Sequence, residues 1–212
     1  MNGTPVEIYK ARMKFFNDSA EQWIDRWYRD PETGEQKKHE KDFDRLFGLM
    51  PIRPGHCVLD AGCGTGVMVP RLLHAIGPSG LLYELDFAEK MIEINRRLHP
   101  AQNIRFLLAD VAEAPLAGAS CETVVCFSCF PHFEDKDQSV ATLGRILKPG
   151  GRLVISHFES SEGINSRHKA CPAVMHDHLP DETAMRDLIA RNRLEIERFL
   201  DEPGFYYLQA KK

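Results

Sequence analysis

The residues best suited to chemistry in this 212-residue chain begin with a glycine-rich loop. The stretch Val58–Gly66 (VLDAGCGTG) carries glycines at alternate positions, with Asp60 just before them. Glycine lets a backbone pass close to a ligand, so a loop of this kind after a strand suits a nucleotide-like ligand. Position 67 is Val, so the third glycine of the dinucleotide fingerprint is missing. A carboxylate at Asp60 would repel a pyrophosphate and attract an ammonium group. A plain structural turn uses the same residues and stays open as an alternative.

Two further acids, Asp86 and Asp110, follow predicted strands. A carboxylate can accept hydrogen bonds from both vicinal hydroxyls of a ribose, and Asp86 stands at a strand end where it could do so. Each acid also has a structural interpretation, as a helix cap for Asp86 and a turn former for Asp110. Phe87 and Met91 could pack on a flat ring, but Met91 at helical spacing equally suits a core.

Cys126 and Cys129 form a Cys-x-x-Cys pair, which elsewhere marks a redox site or half of a zinc site. The chain holds no second pair of this kind, so we favour small apolar residues beside a ligand. His132 follows in the same loop as a candidate general base or a wall of the site. A packed loop histidine is equally compatible with its position.

Residues 157–178 are rich in possible ligands: His157, Asn165, His168, Cys171, His176 and His178. A short helix at 161–170 would place Asn165 and His168 on one face, from which we expect contact with a substrate. A neutral imidazole accepts a proton near pH 7, so a histidine here suits acid–base work. The spacings match no standard zinc pattern, and a metal remains a minor alternative.

The elements that must position these residues alternate along the chain. Short apolar strands are predicted at 56–60, 81–86, 104–108, 123–127 and 152–157. Helices are predicted between them at 67–76, 88–98 and 135–147, with Lys148–Gly151 ending the last of these. This alternation predicts βαβ units and a doubly wound, mostly parallel α/β sheet with helices on both faces. After a helix at 181–192, strands at 194–200 and 205–210 are joined by a turn so short that they must run antiparallel.

The first fifty residues follow a different pattern. Aromatic residues recur at near-helical spacing, which predicts one or two amphipathic helices broken near Asp30-Pro31, then a helix from about 37 to 50. Trp23 and Trp27 are four residues apart, and simple packing of a helix on the domain would explain them. With the further helix assigned to the domain, the chain divides into an N-terminal helical segment, 1–36, and a domain at 37–212.

Composition restricts the possible partners and location. A net charge of −4 gives no electrostatic footprint for nucleic acid. The N-terminal residues show no apolar signal, and no run reaches the roughly 18 apolar residues that a membrane span needs. With six cysteines and no export signal, we expect reduced thiols and a cytoplasmic protein. Nothing in the sequence indicates an oligomeric state.

The motifs together resemble those of the class I S-adenosylmethionine (SAM)-dependent methyltransferases. Asp60–Gly66 is similar to their first motif, D-x-G-x-G-x-G, and Leu85–Met91, Ala109–Val111 and Leu147–Leu153 match later motifs in order. The likeness covers about residues 37–212. It is greatest to the small-molecule methyltransferases of ubiquinone and menaquinone biosynthesis. It implies a seven-stranded sheet whose last strand is antiparallel, in agreement with the C-terminal hairpin.

The resemblance implies methyl transfer from SAM to a small-molecule acceptor, with residues 1–36 as a lid over the cofactor cleft. It implies contact with the methionine part of the cofactor for Phe127 and Ser128, and with adenine for Asp110. The expected cofactor-binding residues are Asp60, Gly62, Cys63, Gly64, Thr65, Gly66, Asp86, Phe87, Met91, Asp110, Val111, Phe127 and Ser128; the candidate catalytic residues are His132, Asn165 and His168. No metal ligand is assigned.

Two rival functions stay open at this point. One is a nicotinamide-dependent oxidoreductase on a similar sheet, against which the missing third glycine and Asp60 both count. The other is a SAM-binding domain without catalysis, acting as a sensor or partner protein. Because methyl transfer needs mainly binding, alignment and desolvation, the sequence does not name the acceptor.

Overall fold

A computed structural model describes residues 4–35 and 38–212. It opens with α1 (Pro5–Ser19), a 3₁₀ turn at Ala20–Gln22 and α2 (Trp23–Tyr28), followed by α3 (Glu40–Leu49). Thr4 begins α1 with a reciprocal cap, because its hydroxyl accepts from the Glu7 amide while the Glu7 carboxylate accepts from the Thr4 amide. The predicted N-terminal helices are confirmed. The start of the third helix at Lys37 and the boundary between 36 and 37 lie outside the described residues.

The strands are β1 (Cys57–Ala61), β2 (Leu81–Asp86), β3 (Ile104–Leu108), β4 (Cys121–Phe127), β5 (Leu147–His157), β6 (Glu195–Glu202) and β7 (Phe205–Lys211). In the described chain these seven form one sheet in the order β3-β2-β1-β4-β5-β7-β6. The first five run parallel, whereas β7 runs antiparallel to both β5 and β6. The predicted doubly wound sheet with one reversed strand is confirmed.

The remaining helices are α4 (Val69–Ile76), α5 (Glu89–Leu98), α6 (Lys136–Ile146), α7 (Ser161–Lys169) and α8 (Glu182–Arg191). Apolar side chains of α3 and α4 pack on one face of the sheet, and those of α6 and α8 pack on the other. This burial on both faces explains why the central strands are continuous apolar runs. No helix within 4–35 or 38–212 is both long and apolar enough to cross a bilayer.

Most predicted boundaries shift by one or two residues, but the start of the fifth strand is wrong by five. Lys148–Gly151 was expected to end the preceding helix, with the fifth strand beginning at Arg152. Instead α6 ends at Ile146 and β5 already pairs at Leu147, opposite Cys121. The register then jumps, so that Arg152 lies opposite Thr123. Gly150, at φ +77°, supports the turn inside this irregular stretch of β5.

The parallel register brings the ends of five strands to one edge of the sheet. Ala61 lies beside Leu85, Asp86 lies beside Leu108, and Phe127 lies beside Ser156. The chain passes from β1 outward to β2 and β3, and then returns to place β4 on the other side of β1. Open α/β sheets bind ligands in the crevice at such a reversal of strand order.

Candidate active site

A cleft of about 830 Å³, including its mouth, opens at this edge of the sheet. It brings together twelve of the thirteen residues predicted to bind a cofactor, together with His132. The lining residues from this set are Asp60, Gly62, Cys63, Gly64, Thr65, Asp86, Phe87, Met91, Asp110, Val111, Phe127, Ser128 and His132.

Two buried polar groups in the cleft lack a protein partner among the described residues. The Asp60 carboxylate is only 2% exposed and accepts no hydrogen bond, and the buried Thr65 hydroxyl has none either. Burial, with a contribution from the Asp86 charge, raises the pKa of Asp60 to about 8. An unpaired buried carboxylate is costly unless a cation or donor reaches it. The floor of the cleft therefore suits a ligand that carries an ammonium group.

The Asp86 carboxylate, unlike that of Asp60, accepts hydrogen bonds from the backbone. Its Oδ2 accepts from the Gly64 amide at 2.9 Å and its Oδ1 accepts from the Ala88 amide at 2.8 Å. Burial raises its pKa to about 6, and the backbone donors oppose that rise. Asp86 does not cap α5, whose N-cap residue is Ala88 and carries no side-chain cap. Each carboxylate oxygen keeps a further lone pair, so bonding these two amides and binding a ribose diol are compatible roles for one side chain.

The far end of the cleft is flat and aromatic. Asp110 accepts from the Ala112 amide through Oδ1 (2.9 Å) and from the Tyr9 hydroxyl through Oδ2 (3.0 Å). The Tyr9 and Phe87 rings lie 5.8 Å apart, and Met91 and Val111 line the same region. Asp110 is thus both a turn former and an acceptor at the cleft wall. This end suits a planar base with an exocyclic amino group.

The glycine loop separates into two functions. Gly62 and Gly64 line the cleft at φ +80° and +53°, where a side chain would be strained. A Cβ on Gly62 would come within 2.6 Å of the Cys129 Cβ. Gly66 does not line the cleft, and a Cβ there would meet the Asn95 side chain at 2.3 Å. Its predicted cofactor contact is replaced by close packing of the loop on α5.

Residues 4–28, which we call the N-terminal cover, close the cleft from above. Phe16, Trp23 and Tyr28 line it, and Phe16 contacts Phe87 and His132 with ring centroids 5.8 and 5.0 Å apart. The buried face of the cover packs on Ala88, Met91 and Ile94. The aromatic N-terminus is therefore part of the cleft wall as well as packing.

His132 ends a 3₁₀ turn after β4 and has a buried carboxylate behind it. Its Nδ1 donates to Asp177 Oδ2 at 2.7 Å, which leaves Nε2 as the unprotonated nitrogen. Arg12 of α1 holds the same carboxylate through Nε and Nη2, at 2.6–3.0 Å, and reaches Glu134 through Nη1. Burial lowers the pKa of His132 while Asp177 opposes this effect, so the ring is suited to accept a proton near neutrality.

The other two candidate catalytic residues do not line the cleft. Asn165 was expected to face the cleft, but its amide bonds to both backbone groups of Leu179, at 2.8 and 3.0 Å, and it does not line the cleft. His168 donates from Nδ1 to the Asp177 carbonyl oxygen at 2.9 Å and packs on His132, with ring centroids 4.9 Å apart. The short helix is present as predicted, but it positions a loop instead of presenting both groups to the cleft.

The remaining histidines of residues 157–178 do not come together at the cleft. His176 and His178 are exposed, and His157 is buried at the end of β5, where burial lowers its pKa to about 3. Within the described residues no three His, Cys, Asp or Glu side chains come together as metal ligands would.

The Cys-x-x-Cys pair is buried, as the sequence interpretation favoured. Cys126 is wholly inside, and Cys129 lines the cleft with its thiol donating to the Ala61 carbonyl at 2.9 Å. Between them Ser128 adopts φ +54°, and its amide donates to the Ser156 carbonyl at 2.9 Å. A non-glycine residue held there is a sign of a functional turn.

Sequence reasoning missed several members of the site. Tyr9, Val67, Met68 and Phe133 also line the cleft. Arg12, Glu134 and Asp177 were missed as well. Arg12 and Asp177 are separated by 165 positions, and no spacing rule connects them. The one sequence signal for Arg12 was the helical pattern of the first residues. That pattern indicated a buried helix face, but it did not show which part of the chain the face packs on.

Comparison with known proteins agrees with this geometry. Residues 59–155 match the family described as methyltransferase domain. The chain is 30% identical over 163 residues to 27-O-demethylrifamycin SV methyltransferase of Amycolatopsis mediterranei, covering 73% of this chain and 59% of the relative. It is 29% identical over 154 residues to the ubiquinone/menaquinone biosynthesis C-methyltransferase UbiE of Vibrio parahaemolyticus, covering 71% and 58% respectively. The chain spans about half the length of the curated relatives it matches.

The fold also recurs among solved structures. Geranyl diphosphate C-methyltransferase from Streptomyces coelicolor, solved with S-adenosyl-L-homocysteine bound, superposes with a TM-score of 0.75. The identity is 13%, over 96% of this chain and 97% of the other. At that identity the likeness concerns the fold.

Proposed function

We propose that this chain, whose residues 59–155 match a methyltransferase domain, is a class I SAM-dependent methyltransferase that transfers a methyl group from SAM to a small-molecule acceptor. The observation that carries the proposal is the row of three acids, Asp60, Asp86 and Asp110, along one cleft. Asp60 is buried there without a partner.

The residues present fit the cofactor from end to end. Asp60 would hold the ammonium group of its methionine part, Asp86 the ribose hydroxyls, and Asp110 the adenine amino group. Phe87, Met91 and Val111 would pack on the adenine ring, while Phe127 and Ser128 would border the methionine part. Bound SAM supplies a methyl carbon activated by positively charged sulfur. The chain's own task is then to align the acceptor and exclude water.

His132 is the residue we propose to remove a proton from the acceptor. Its Nε2 has no protein partner in the described part of the chain, and Asp177 fixes the tautomer from behind. An orienting carboxylate behind a histidine is the arrangement that makes imidazole an effective base. The proposal therefore favours acceptors that must lose a proton, such as a hydroxyl, an amine or a thiol.

The N-terminal cover would act as a lid, because Phe16, Trp23 and Tyr28 close the cleft over the reacting groups. A cover that moves would admit both ligands and then exclude water from the sulfonium. We also propose a cytoplasmic location, because the six cysteines suit a compartment that keeps thiols reduced. We propose no nucleic acid partner, because the net charge is −4.

A screen with methyl-labelled SAM tests the proposal. Purified protein is incubated with pools of small phenols, alcohols, amines, thiols and quinols, and label transferred to extractable product is counted. His132→Gln is the matched variant, since it removes the base and retains a side chain of similar size. Transfer by the wild type, lost in His132→Gln with SAM affinity retained, is the expected result. Tight SAM binding without transfer to any pool would favour a non-catalytic SAM-binding domain.

A further inference from the structure

One carboxylate joins the N-terminal cover to the base in the cleft. Asp177 Oδ2 accepts from Arg12 Nε at 2.9 Å and from His132 Nδ1 at 2.7 Å, so the two donors share a single oxygen. Arg12 and Asp177 are each 4% exposed. Arg12 lies in α1, whereas Asp177 lies in the segment between α7 and α8. The bond therefore crosses from the cover to the domain.

Besides the part-buried bond from the Tyr9 hydroxyl to Asp110, exposed links also hold the cover down, and the Arg12 bond differs from these. Arg97 pairs with Glu21 at 3.2 Å, but both side chains are more than half exposed. The Asn17 side chain accepts from the Lys90 amide at 2.8 Å at an exposed position. Exposed pairs of this type contribute little, whereas a buried bidentate arginine–carboxylate pair is strongly directional. Opening the cover must break the Arg12 bond and leave Asp177 to His132 alone.

We propose that Arg12 and Asp177 are positioning residues that couple closure of the N-terminal cover to the orientation and proton state of the His132 base. With the cover closed, Arg12 neutralises Asp177, and the imidazole is held as a neutral acceptor facing the cleft. With the cover open, the unshared carboxylate favours imidazolium, which cannot act as a base. The base would thus be ready only when the cleft is sealed. The inference rests on the proposed function of the same site.

Several charged and titratable groups surround the ring and enter this balance. Asp177 raises the pKa of His132, whereas burial, Arg12 and Lys136 of α6 lower it. His168 of α7 packs on the ring, His157 of β5 lies close enough to interact electrostatically with it, and Glu134 holds the other end of Arg12. Of these, only Arg12 belongs to the cover. Movement of the cover therefore changes one cation next to the ring, together with the burial that Phe16 gives the ring, while the other charged groups stay in place.

The test is the pKa of His132, measured by NMR titration of the labelled histidine rings with and without saturating S-adenosylhomocysteine. His132→Gln assigns the signal. In the wild type we expect the ligand to lower the pKa of His132 by about one unit, the size expected for a cation brought close in a partly buried setting. In Arg12→Gln most of that ligand-induced shift should be lost. Arg12→Lys, which keeps the charge without the bidentate geometry, should retain part of it.

Arg97→Gln is the matched control, because it removes a cover-to-domain ion pair that does not touch Asp177. It should keep the wild-type shift, and an equal loss there would show that loosening the cover in any way has the same effect. An unchanged ligand-induced shift in Arg12→Gln would overturn the coupling. Calorimetry with S-adenosylhomocysteine separates the two proposals. Wild-type protein that fails to bind the ligand refutes the proposed function, whereas failure of the coupling requires protein that binds it.

Discussion

The Asp60 carboxyl should make cofactor affinity depend on pH in a defined way. Its pKa is raised to about 8 by burial and by Asp86, so at pH 7 only about a tenth of the free protein carries this charge. A bound ammonium group favours the ionised form. The complex therefore holds fewer protons than the free protein, and affinity rises with pH. We expect binding of S-adenosylhomocysteine to strengthen about tenfold per unit through roughly pH 6.5–7.5, and to level off above about pH 8, where Asp60 of the free protein is already ionised.

Asp60→Asn should abolish the pH dependence of binding, while reducing the affinity at pH 7 only modestly. At pH 7 the wild type loses about 1.4 kcal/mol in ionising Asp60, against about 1.5–3 kcal/mol gained from the charge-assisted bond. The two terms nearly offset each other, so the variant should bind within about tenfold of wild type at pH 7 and fall further behind at pH 8.

Calorimetry in paired buffers measures both affinity and proton release. Methylthioadenosine, which has the adenine and ribose but no ammonium group, is the matched ligand and should show little pH dependence. It also removes any contribution from Asp86, which faces the ribose in both ligands. A slope that survives in Asp60→Asn, or one equally steep for methylthioadenosine, would refute the assignment of the ammonium group to Asp60.

Three further predictions concern the rest of the cleft. Asp86→Ala should weaken SAM binding about ten- to a hundredfold by loss of a charge-assisted bond of roughly 1.5–3 kcal/mol; equilibrium dialysis that finds wild-type affinity in the folded variant would exclude the ribose role. Gly62→Ala should lower the melting temperature more than Gly64→Ala. A Cβ at position 62 would lie 2.6 Å from the Cys129 Cβ, whereas the nearest atom to a Cβ at position 64 is 3.8 Å away. Equal shifts in melting temperature would show that the contact with Cys129 relaxes freely. Removing residues 1–36 should leave the sheet folded by circular dichroism but weaken cofactor retention, since the cover contributes Phe16, Trp23 and Tyr28 to the cleft; unfolding of the truncated chain would make this segment part of the core.

The fold could be predicted from the sequence because its signals are local and repeated. The second and third strands, Leu81–Asp86 and Ile104–Leu108, are bounded by turn residues and match the predicted limits. The cofactor cleft followed from the same signals, since parallel strands must bring Asp60, Asp86 and Asp110 to one edge. The start of the fifth strand was predicted wrongly because Pro149-Gly150-Gly151 is typical of a turn between elements. Pairing with β4 across the irregular register overrides that local preference.

The histidine chemistry was only partly predictable, for a different reason. Asn165 and His168 do share one helix, but spacing does not tell which way a helix turns its faces. Packing turned Asn165 toward Leu179 and His168 toward the Asp177 backbone. Asp177 stands between two exposed histidines, His176 and His178, and nothing in that local sequence indicates that it is buried. Its partners Arg12 and His132 are brought to it only by the tertiary fold.

The most direct test of the account is a binding competition on the unmodified protein. Labelled SAM is equilibrated with the chain by dialysis, and unlabelled S-adenosylhomocysteine or NAD⁺ is added in excess. The account predicts one SAM bound per chain, displaced by S-adenosylhomocysteine and unaffected by NAD⁺. Absence of SAM binding, or its displacement by NAD⁺, would contradict it.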